Sequence, residues 1–173
     1  MTERTRIEVY LRRLYGYAFS LAGDHHQAED LVQECAVRAL TAKNTPRDER
    51  AYRAWLFRIL RNAFLDQVRH KKTAVSATAD ENFAPVREFW HGDERFITVL
   101  AVKLEMAKLP RRQREIIALI DLVGMSYAET AQLLGVPVGT VMSRISRARR
   151  MLLDAIGSSN VHELPVKKQK GMG

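Results

Sequence analysis

The chain has 173 residues, of which 46% are hydrophobic, and its formal net charge is +8. That length suits one ordinary domain or two small ones, and the apolar content excludes wholesale disorder. No apolar run reaches the length that a membrane span needs, so the positive charge favours a polyanionic partner, either nucleic acid or an acidic protein surface.

The first predicted element is a helix over Thr2–Ala22, which Gly23 ends. The opening residues, MTERTRIEVY, hold no apolar signal core, and the lone Cys35 cannot form an internal disulfide. We therefore expect a cytoplasmic protein. Sparse glycine and proline, without strand-like alternation, predict helices throughout the chain.

The second predicted helix, His25–Ala42, has Asp24 as its N-cap and two distinct faces. The apolar face, which we expect in the core, consists of Ala28, Leu31, Val32, Cys35, Ala36, Ala39 and Leu40. The opposite face is acidic and carries Glu29, Asp30, Gln33, Glu34 and Arg38. Most such faces are simply solvated, but on a basic protein this one is also a candidate docking surface for a basic partner.

A polar loop over Thr41–Glu49, with Pro46 at its centre, leads into a long predicted helix over Arg50–Lys72. The inward face of this helix consists of Tyr52, Trp55, Leu56, Ile59, Leu60, Ala63, Phe64 and Val68. Arginines crowd the remaining surface, and arginines interleaved with aromatics suit contacts with a nucleic-acid backbone and stacking of unpaired bases. We interpret Trp55 and Phe64 as core residues, whereas Tyr52, next to the loop, is more open.

The stretch 73–91 loses helical periodicity and is rich in alanine, serine and threonine, so it is predicted to be a flexible linker. Phe83, Phe89 and Trp90 are unusual there and favour packing on a neighbouring domain or a partner. The linker divides the chain into two helical domains, 1–72 and 92–157. The polar, basic tail 158–173 is predicted to be disordered.

The second domain is predicted to open with a helix that Pro110 ends, followed by a helix that ends near Gly124. The stretch SYAETAQLLGVPVGTVMSRISRARRMLL then reads as helix, tight turn, helix. Its first helix begins with a capping box of Ser126 and Glu129, and its apolar side is Ala128, Ala131 and Leu134. Gly135 can adopt the left-handed conformation that ends the first helix, and Pro137 has a fixed φ that suits the start of the second helix.

The second helix of this pair carries two stripes. Val141, Ile145, Ala148 and Leu152 form an inward stripe, and Thr140, Ser143, Arg144 and Arg147 form a polar, cationic one. An apolar seat beneath an exposed polar helix is what a DNA-reading helix-turn-helix needs. A helical hairpin with a solvated basic face is the alternative that this stretch alone leaves open.

No active site is evident in the sequence. It has no nucleotide-binding glycine loop and no Cys/His array with zinc spacing, so we expect no catalytic residues, cofactor, metal or small-molecule substrate. His25, His26 and Glu29 place ligands one helical turn apart, which is too few for a metal site. Cys35 lies on the apolar stripe and is interpreted as a core residue rather than a nucleophile.

Two stretches resemble the extracytoplasmic-function (ECF) sigma factors, which direct bacterial RNA polymerase to promoters. AEDLVQECAVRAL followed by YRAWLFRILRNAFLDQVRHKK is similar to sigma region two. LPRRQREIIALIDLVGMSYAETAQLLGVPVGTVMSRISRARRML is similar to region four. The resemblance implies an all-α fold of two small domains joined by a flexible linker, the second containing the helix-turn-helix.

The resemblance also assigns partners to the surfaces. It implies that Asp30, Gln33 and Glu34 dock on the β′ clamp helices of RNA polymerase core. It implies that the first domain opens the −10 element and captures a flipped base, with Lys43, Asn44, Arg47, Arg50, Tyr52, Arg58, Arg61 and Asn62 facing the DNA. It implies that the second domain reads the −35 element with Val138, Gly139, Thr140, Ser143, Arg144 and Arg147. An anti-sigma factor that covers these surfaces is implied as well.

The sequence departs from the family at Met142, where members often carry a basic residue. Methionine cannot donate a hydrogen bond to guanine, so we expect this contact to the −35 element to be missing.

Two rival functions remain. A stand-alone helix-turn-helix regulator would use the second domain but not the acidic face or the arginine-rich helix. A metal-dependent nuclease would need carboxylates clustered near the basic face, whereas those present lie on the docking side.

Overall fold

The computed structural model describes residues 3–74 and 102–159, with the side chains of 5–70 and 102–158. All regular secondary structure in these ranges is helical, which confirms the all-α prediction. The helices are α1 (Glu3–Glu8), α2 (Leu11–Ala22), α3 (His25–Thr41), α4 (Glu49–Ala74), α5 (described over 102–108), α6 (Arg111–Ile117), α7 (Tyr127–Leu134) and α8 (Val138–Ser159), with a π-helical turn at Ala118–Leu122. None of the helices in the described ranges combines the length and the hydropathy that a membrane span needs.

Parts of the prediction fall outside these ranges. Residues 75–91 of the predicted linker, with Phe83, Phe89 and Trp90, and residues 160–173 of the predicted tail lie outside the described residues. Residues 73–74 and 158–159, predicted to belong to the linker and the tail, instead form the last residues of α4 and α8. The two described ranges are called here the first half (3–74) and the second half (102–159).

The predicted first helix is divided in two by a turn at Val9 and Tyr10. The Tyr10 amide donates to the Ile7 carbonyl at 2.8 Å, and α2 then begins at Leu11. The single helix was predicted because the apolar residues on either side keep an approximate helical spacing. The turn instead buries Tyr10 beside α4, a contact that local spacing does not reveal.

The ends of α2 and α3 follow the sequence prediction. Gly23 ends α2 in the left-handed region at φ 71°, which costs glycine little. The Asp24 side chain accepts a hydrogen bond from the Gln27 amide at 2.9 Å and so caps α3.

The apolar stripe of α3 forms part of the core, with one exception. Ala28, Leu31, Cys35 and Ala39 are buried, as predicted, but Leu40 is 48% exposed. Ala39 occupies the buried position of the last turn, and Leu40, one residue further round the helix, points to solvent. Burial raises the pKa of the Cys35 thiol to about 12, which supports a core residue rather than a nucleophile.

The helix-turn-helix has the predicted frame. The Ser126 hydroxyl accepts from the Glu129 amide, the Glu129 carboxylate accepts from the Ser126 amide, and Gly135 ends α7 at φ 66°. The predicted apolar side of α7 is wrong at Ala128, which is exposed, whereas Thr130 is fully buried. The inward stripe of α8 is confirmed at Val141, Ile145 and Ala148, with Leu152 half-buried.

The two halves pack directly against each other. One hydrophobic cluster runs from Tyr17 and Leu56 of the first half to Leu119, Met125 and Leu133 of the second. A second, smaller cluster holds α6, α7 and α8 together. The sequence analysis did not predict the packing between the halves, because each half has an amphipathic pattern that a separate domain would also show.

Hydrogen bonds between buried polar groups also hold the two halves together. Arg114 of α6 donates from Nε to the Ser20 carbonyl of α2 at 3.0 Å. Glu115 accepts at the same oxygen from the Tyr17 hydroxyl at 3.1 Å and from Arg61 Nε at 2.8 Å. These hydrogen bonds connect α2, α4 and α6. They also pair the buried guanidinium and carboxylate groups, whose burial without partners would cost free energy.

Candidate nucleic-acid and docking interface

The acidic face of α3 is exposed, as a docking surface requires. Asp30 and Gln33 lie in solvent, and Glu34 is partly covered because it pairs with Arg38 one turn later. Val37 and Leu40 are 60% and 48% exposed on the same side of the helix. We call Asp30, Gln33, Glu34, Val37 and Leu40 the docking face.

The sequence analysis missed the apolar part of this face. Val37 lies four residues after Gln33 and seven after Asp30, and that helical spacing is the signal that could have identified it. An exposed apolar pair beside carboxylates is typical of an interaction surface, since apolar side chains supply burial and the charges supply specificity.

The loop before α4 and the first turn of α4 present basic and amide side chains to solvent. Lys43, Asn44, Arg47 and Arg50 are all exposed. Asp48 ends the loop by accepting a hydrogen bond from the Ala51 amide at 2.8 Å, which starts α4. These four predicted residues therefore lie where a nucleic-acid strand can reach them.

Tyr52 does not belong to that surface. Its side chain is 1% exposed, and its ring lies 6.1 Å from that of Tyr10 and 5.6 Å from that of Trp55. The expectation that Tyr52 is the more open aromatic is wrong, because the turn before α2 brings Tyr10 over it. Phe64 is buried and Trp55 half-buried against the core, as predicted.

The remaining predicted residues of α4 differ in exposure. Arg58 and Asn62 are exposed, on the surface of the first half. Arg61 is only 21% exposed because its guanidinium pairs with Glu115 of the second half. In this arrangement, the guanidinium of Arg61 is bound by Glu115 across the contact between the halves.

The predicted DNA-reading helix α8 presents most of its candidate residues to solvent. Val138, Gly139, Ser143 and Arg147 are exposed, and Thr140 is partly covered. Met142 is 53% exposed on the same helix. Ser146 and Arg150, also exposed, extend this surface and were not among the predicted residues.

Arg144 faces a different environment. It lines a cavity of about 280 Å³ between the halves, together with Arg61, Arg111, Arg112 and Glu115. The structure thus brings together Arg61, predicted for the −10 element, and Arg144, predicted for the −35 element. Both residues line the same cavity because the two halves pack against each other.

Glu129 links the helix-turn-helix to α4. Its carboxylate accepts from the Ser126 amide at 2.7 Å and from Arg53 Nη2 at 2.7 Å. Burial raises the pKa of this carboxyl, but the hydrogen bonds from Ser126 and Arg53 outweigh it, so the pKa is lowered overall. The residue that caps α7 therefore also holds the two halves together.

A metal centre is not formed by the described residues. Within 3–74 and 102–159, no three His, Cys, Asp or Glu side chains come together as a metal site needs. The ring of His25, considered earlier as a ligand, packs against Phe19 with centroids 4.7 Å apart.

Comparison with known proteins finds a family match in each half of the chain. The family model for sigma-70 region 2 matches residues 6–73, and the one for sigma-70 region 4 matches 100–152. The ECF RNA polymerase sigma factor EcfG of Rhodopseudomonas palustris is 36% identical over 139 residues, which cover 80% of this chain and 76% of EcfG. The chain belongs to the ECF RNA polymerase sigma factors.

This sigma factor has further relatives. SigM of Mycobacterium tuberculosis is 34% identical over 149 residues, covering 86% of this chain and 74% of SigM. Among solved structures, the sigma factor RpoE of Bartonella quintana, in complex with the anti-sigma factor NepR, has a TM-score of 0.63 at 29% identity. That match covers 89% of this chain and 96% of RpoE.

A second solved relative is CnrH, in complex with the cytosolic domain of CnrY, with a TM-score of 0.62 at 28% identity. That match covers 90% of this sigma factor and 88% of CnrH. The region 2 match contains the docking face, the basic loop and nearly all of α4, whereas the region 4 match contains α7 and most of α8.

Proposed function

We propose that this sigma factor brings RNA polymerase core to promoters through three surfaces on two modules. Residues 1–72 act as region two and 92–157 as region four, joined by a linker at 73–91 and followed by a basic tail at 158–173. The family matches over 6–73 and 100–152 support this division. The protein acts by binding rather than by catalysis, and it works in the cytoplasm.

The docking face of α3 binds the β′ clamp helices of the core enzyme. Asp30, Gln33 and Glu34 supply polar contacts to a basic partner, and exposed Val37 and Leu40 supply apolar area. Charge complementarity steers the encounter, while the apolar pair prolongs the contact.

The loop before α4 and the exposed part of α4 bind the opened −10 element. The exposed residues that support this role are Lys43, Asn44, Arg47, Arg50, Arg58 and Asn62. Arg61 joins them once its contact with Glu115 is released. Unstacking a base costs a few kcal/mol, which a basic loop and a base pocket can offset together.

The helix α8 reads the −35 element as duplex DNA. Val138, Gly139, Thr140, Ser143 and Arg147 lie on its accessible surface, and Arg144 becomes accessible when the halves separate. The observation that carries the whole proposal is that this exposed, capped helix-turn-helix shares a chain with the exposed acidic docking face. A stand-alone regulator has no use for the second feature.

An anti-sigma factor is the expected regulator. Of the two solved relatives, RpoE is in complex with the anti-sigma factor NepR, and CnrH is in complex with the cytosolic domain of CnrY. Both relatives match most of this chain. Co-purification from unstressed native cells tests this point. Recovery of the chain with core polymerase alone would oppose it.

A gel-shift assay with and without core enzyme separates the proposal from its alternative, a stand-alone helix-turn-helix regulator. The sigma factor is expected to bind promoter duplex weakly alone, because Arg61 and Arg144 face the contact between the halves, and tightly with core. Tight binding without core, on paired half-sites, would favour the regulator.

A further inference from the structure

Arg6 of α1 reaches the loop before α4, about forty positions later in the chain. Its Nη1 donates to the Pro46 carbonyl at 2.8 Å and its Nη2 to the Arg47 carbonyl at 3.1 Å. Its Nε donates to Glu49 Oε2 at 3.0 Å. One guanidinium thus holds both the backbone of the loop and the first residue of α4.

Two aromatic residues hold Arg6 in place. The guanidinium carbon lies 3.7 Å from the centroid of the buried Tyr52 ring, a cation–π contact. The Tyr10 hydroxyl donates to Glu49 Oε1 at 2.6 Å, so the Glu49 carboxylate is fixed from both sides. The Arg6 side chain is only 11% exposed, and its planar fork has little freedom to turn away.

The charges of this cluster are stable near neutral pH. The hydrogen bond from Tyr10 and the charge of Arg6 lower the pKa of the Glu49 carboxyl. Burial and the neighbouring Glu49 raise the pKa of Tyr10 to about 12. The ion pair and the neutral phenol therefore persist under physiological conditions.

The cluster fixes one side of the loop and leaves the other side open. Arg6 donates hydrogen bonds to the carbonyls of Pro46 and Arg47. The side chains of Lys43, Asn44 and Arg47 remain exposed. A loop whose backbone is already ordered loses less conformational entropy when it binds a ligand. Recognition of a single unpaired base depends on such preorganisation, because a displaced loop cannot form the base pocket.

We propose that Arg6 is the positioning residue that fixes the loop 43–49 for capture of an unpaired −10 base. This inference rests on the proposed function of the loop. Arg6 acts through the backbone of Pro46 and Arg47 and through Glu49, and does not itself contact the DNA.

The test uses holoenzyme reconstituted from core polymerase and the full chain. The probe is a labelled non-template oligonucleotide that spans the −10 element of a promoter transcribed by the wild-type holoenzyme. Each base of the element is replaced in turn. We expect Arg6→Ala to weaken binding about tenfold and to flatten the preference among bases at the captured position.

Two further variants sharpen the result. Arg6→Lys keeps the charge but cannot donate to two carbonyls and a carboxylate in one plane, so we expect the same direction of change. Arg12→Ala, which removes an exposed arginine of α2, is the matched control and should leave binding unchanged. Affinity for core polymerase and for the −35 duplex should stay the same in every variant.

Salt dependence separates positioning from direct contact. A phosphate contact would lower the slope of log affinity against log salt by about one unit when Arg6 is removed, whereas a positioning residue leaves the slope unchanged. A reduced slope, or unchanged affinity and base preference in Arg6→Ala, would overturn the inference.

Folding is checked by the thermal melt of each free variant. If Arg6→Ala does not fold, Tyr10→Phe carries the test, since it removes only the hydrogen bond to Glu49 and should flatten base preference to a smaller extent. Unchanged base preference in that variant would then contradict the inference. A wild-type holoenzyme that does not bind the −10 strand would instead refute the proposed function.

Discussion

Glu129 shows how one residue serves both local and tertiary structure. It completes the capping box of α7 and pairs with Arg53 of α4 across the contact between the halves. The first role is predictable, because Ser126 and Glu129 have the capping-box spacing. The second is not, because Arg53 is 76 positions away in sequence and nothing local connects the two.

Replacement of Glu129 by alanine should lower the free energy of unfolding by about 1–3 kcal/mol, since it removes a cap and leaves Arg53 without this partner. The folded-state pKa of Glu129 lies below its ordinary value of 4.5, so its stabilisation is present above that pH and is lost as the pH falls through the folded-state pKa. Urea denaturation at pH 7 and at acid pH measures both effects.

The matched control for this prediction is Gln132→Ala, an exposed position on the same helix. We expect it to change the free energy of unfolding by less than about 0.5 kcal/mol. An equal loss in the two variants, or a Glu129 effect that does not depend on pH, would contradict the assigned role.

Met142 lies on the helix that we propose to read the −35 element. It is 53% exposed on α8, where an arginine could donate two hydrogen bonds to guanine. We expect Met142→Arg to tighten −35 duplex binding by about tenfold or more at fixed salt. Leu153→Arg adds the same charge at an exposed position further along the helix and should have a smaller effect. Unchanged or weaker binding by Met142→Arg would count against the placement of this residue.

At the scale of single elements, amphipathic spacing predicted most of α3, α4 and α8, because their buried stripes follow the helical repeat. It failed where a helix ends or bends. Leu40 is exposed in the last turn of α3, and the turn at Tyr10 divides the predicted first helix. The first reflects the position of Leu40 one residue beyond buried Ala39, and the second depends on the contact of Tyr10 with Tyr52, which is distant in sequence.

The docking face of α3 can be tested without disturbing the core, since its members lie on the surface. The double change Asp30→Lys with Glu34→Lys should weaken binding to core polymerase at least tenfold, because it reverses the charge that meets a basic partner. Val37→Asp should weaken it as well, through lost apolar contact. Fluorescence titration of core polymerase with labelled protein measures each affinity.

Asp154→Lys, an exposed acidic position on α8, is the matched control for the charge changes. It should leave core binding unchanged, and the α3 variants should leave −35 duplex binding unchanged. If the α3 variants bind core as tightly as wild type, the docking assignment is wrong.

At the scale of the whole molecule, the main finding is that the two halves share a core. Leu119 and Met125 pack with residues of α2 and α4, and Glu115 joins Tyr17 to Arg61. The sequence identified both halves but not their packing, because pairs such as Arg61 and Glu115 are ordinary surface residues in a local pattern. This arrangement partly covers Arg61 and Arg144, and we expect the halves to move apart if both residues are to contact DNA.

The central claim is that this chain directs core polymerase to promoters, and reconstituted transcription tests it most directly. Purified core polymerase is supplied with a genomic promoter library, with and without the full chain, and transcript starts are mapped. The account predicts new, promoter-specific starts that share −10 and −35 elements and appear only when the chain is added. Transcription that starts no more often, and at no new sites, after addition of the chain would contradict it.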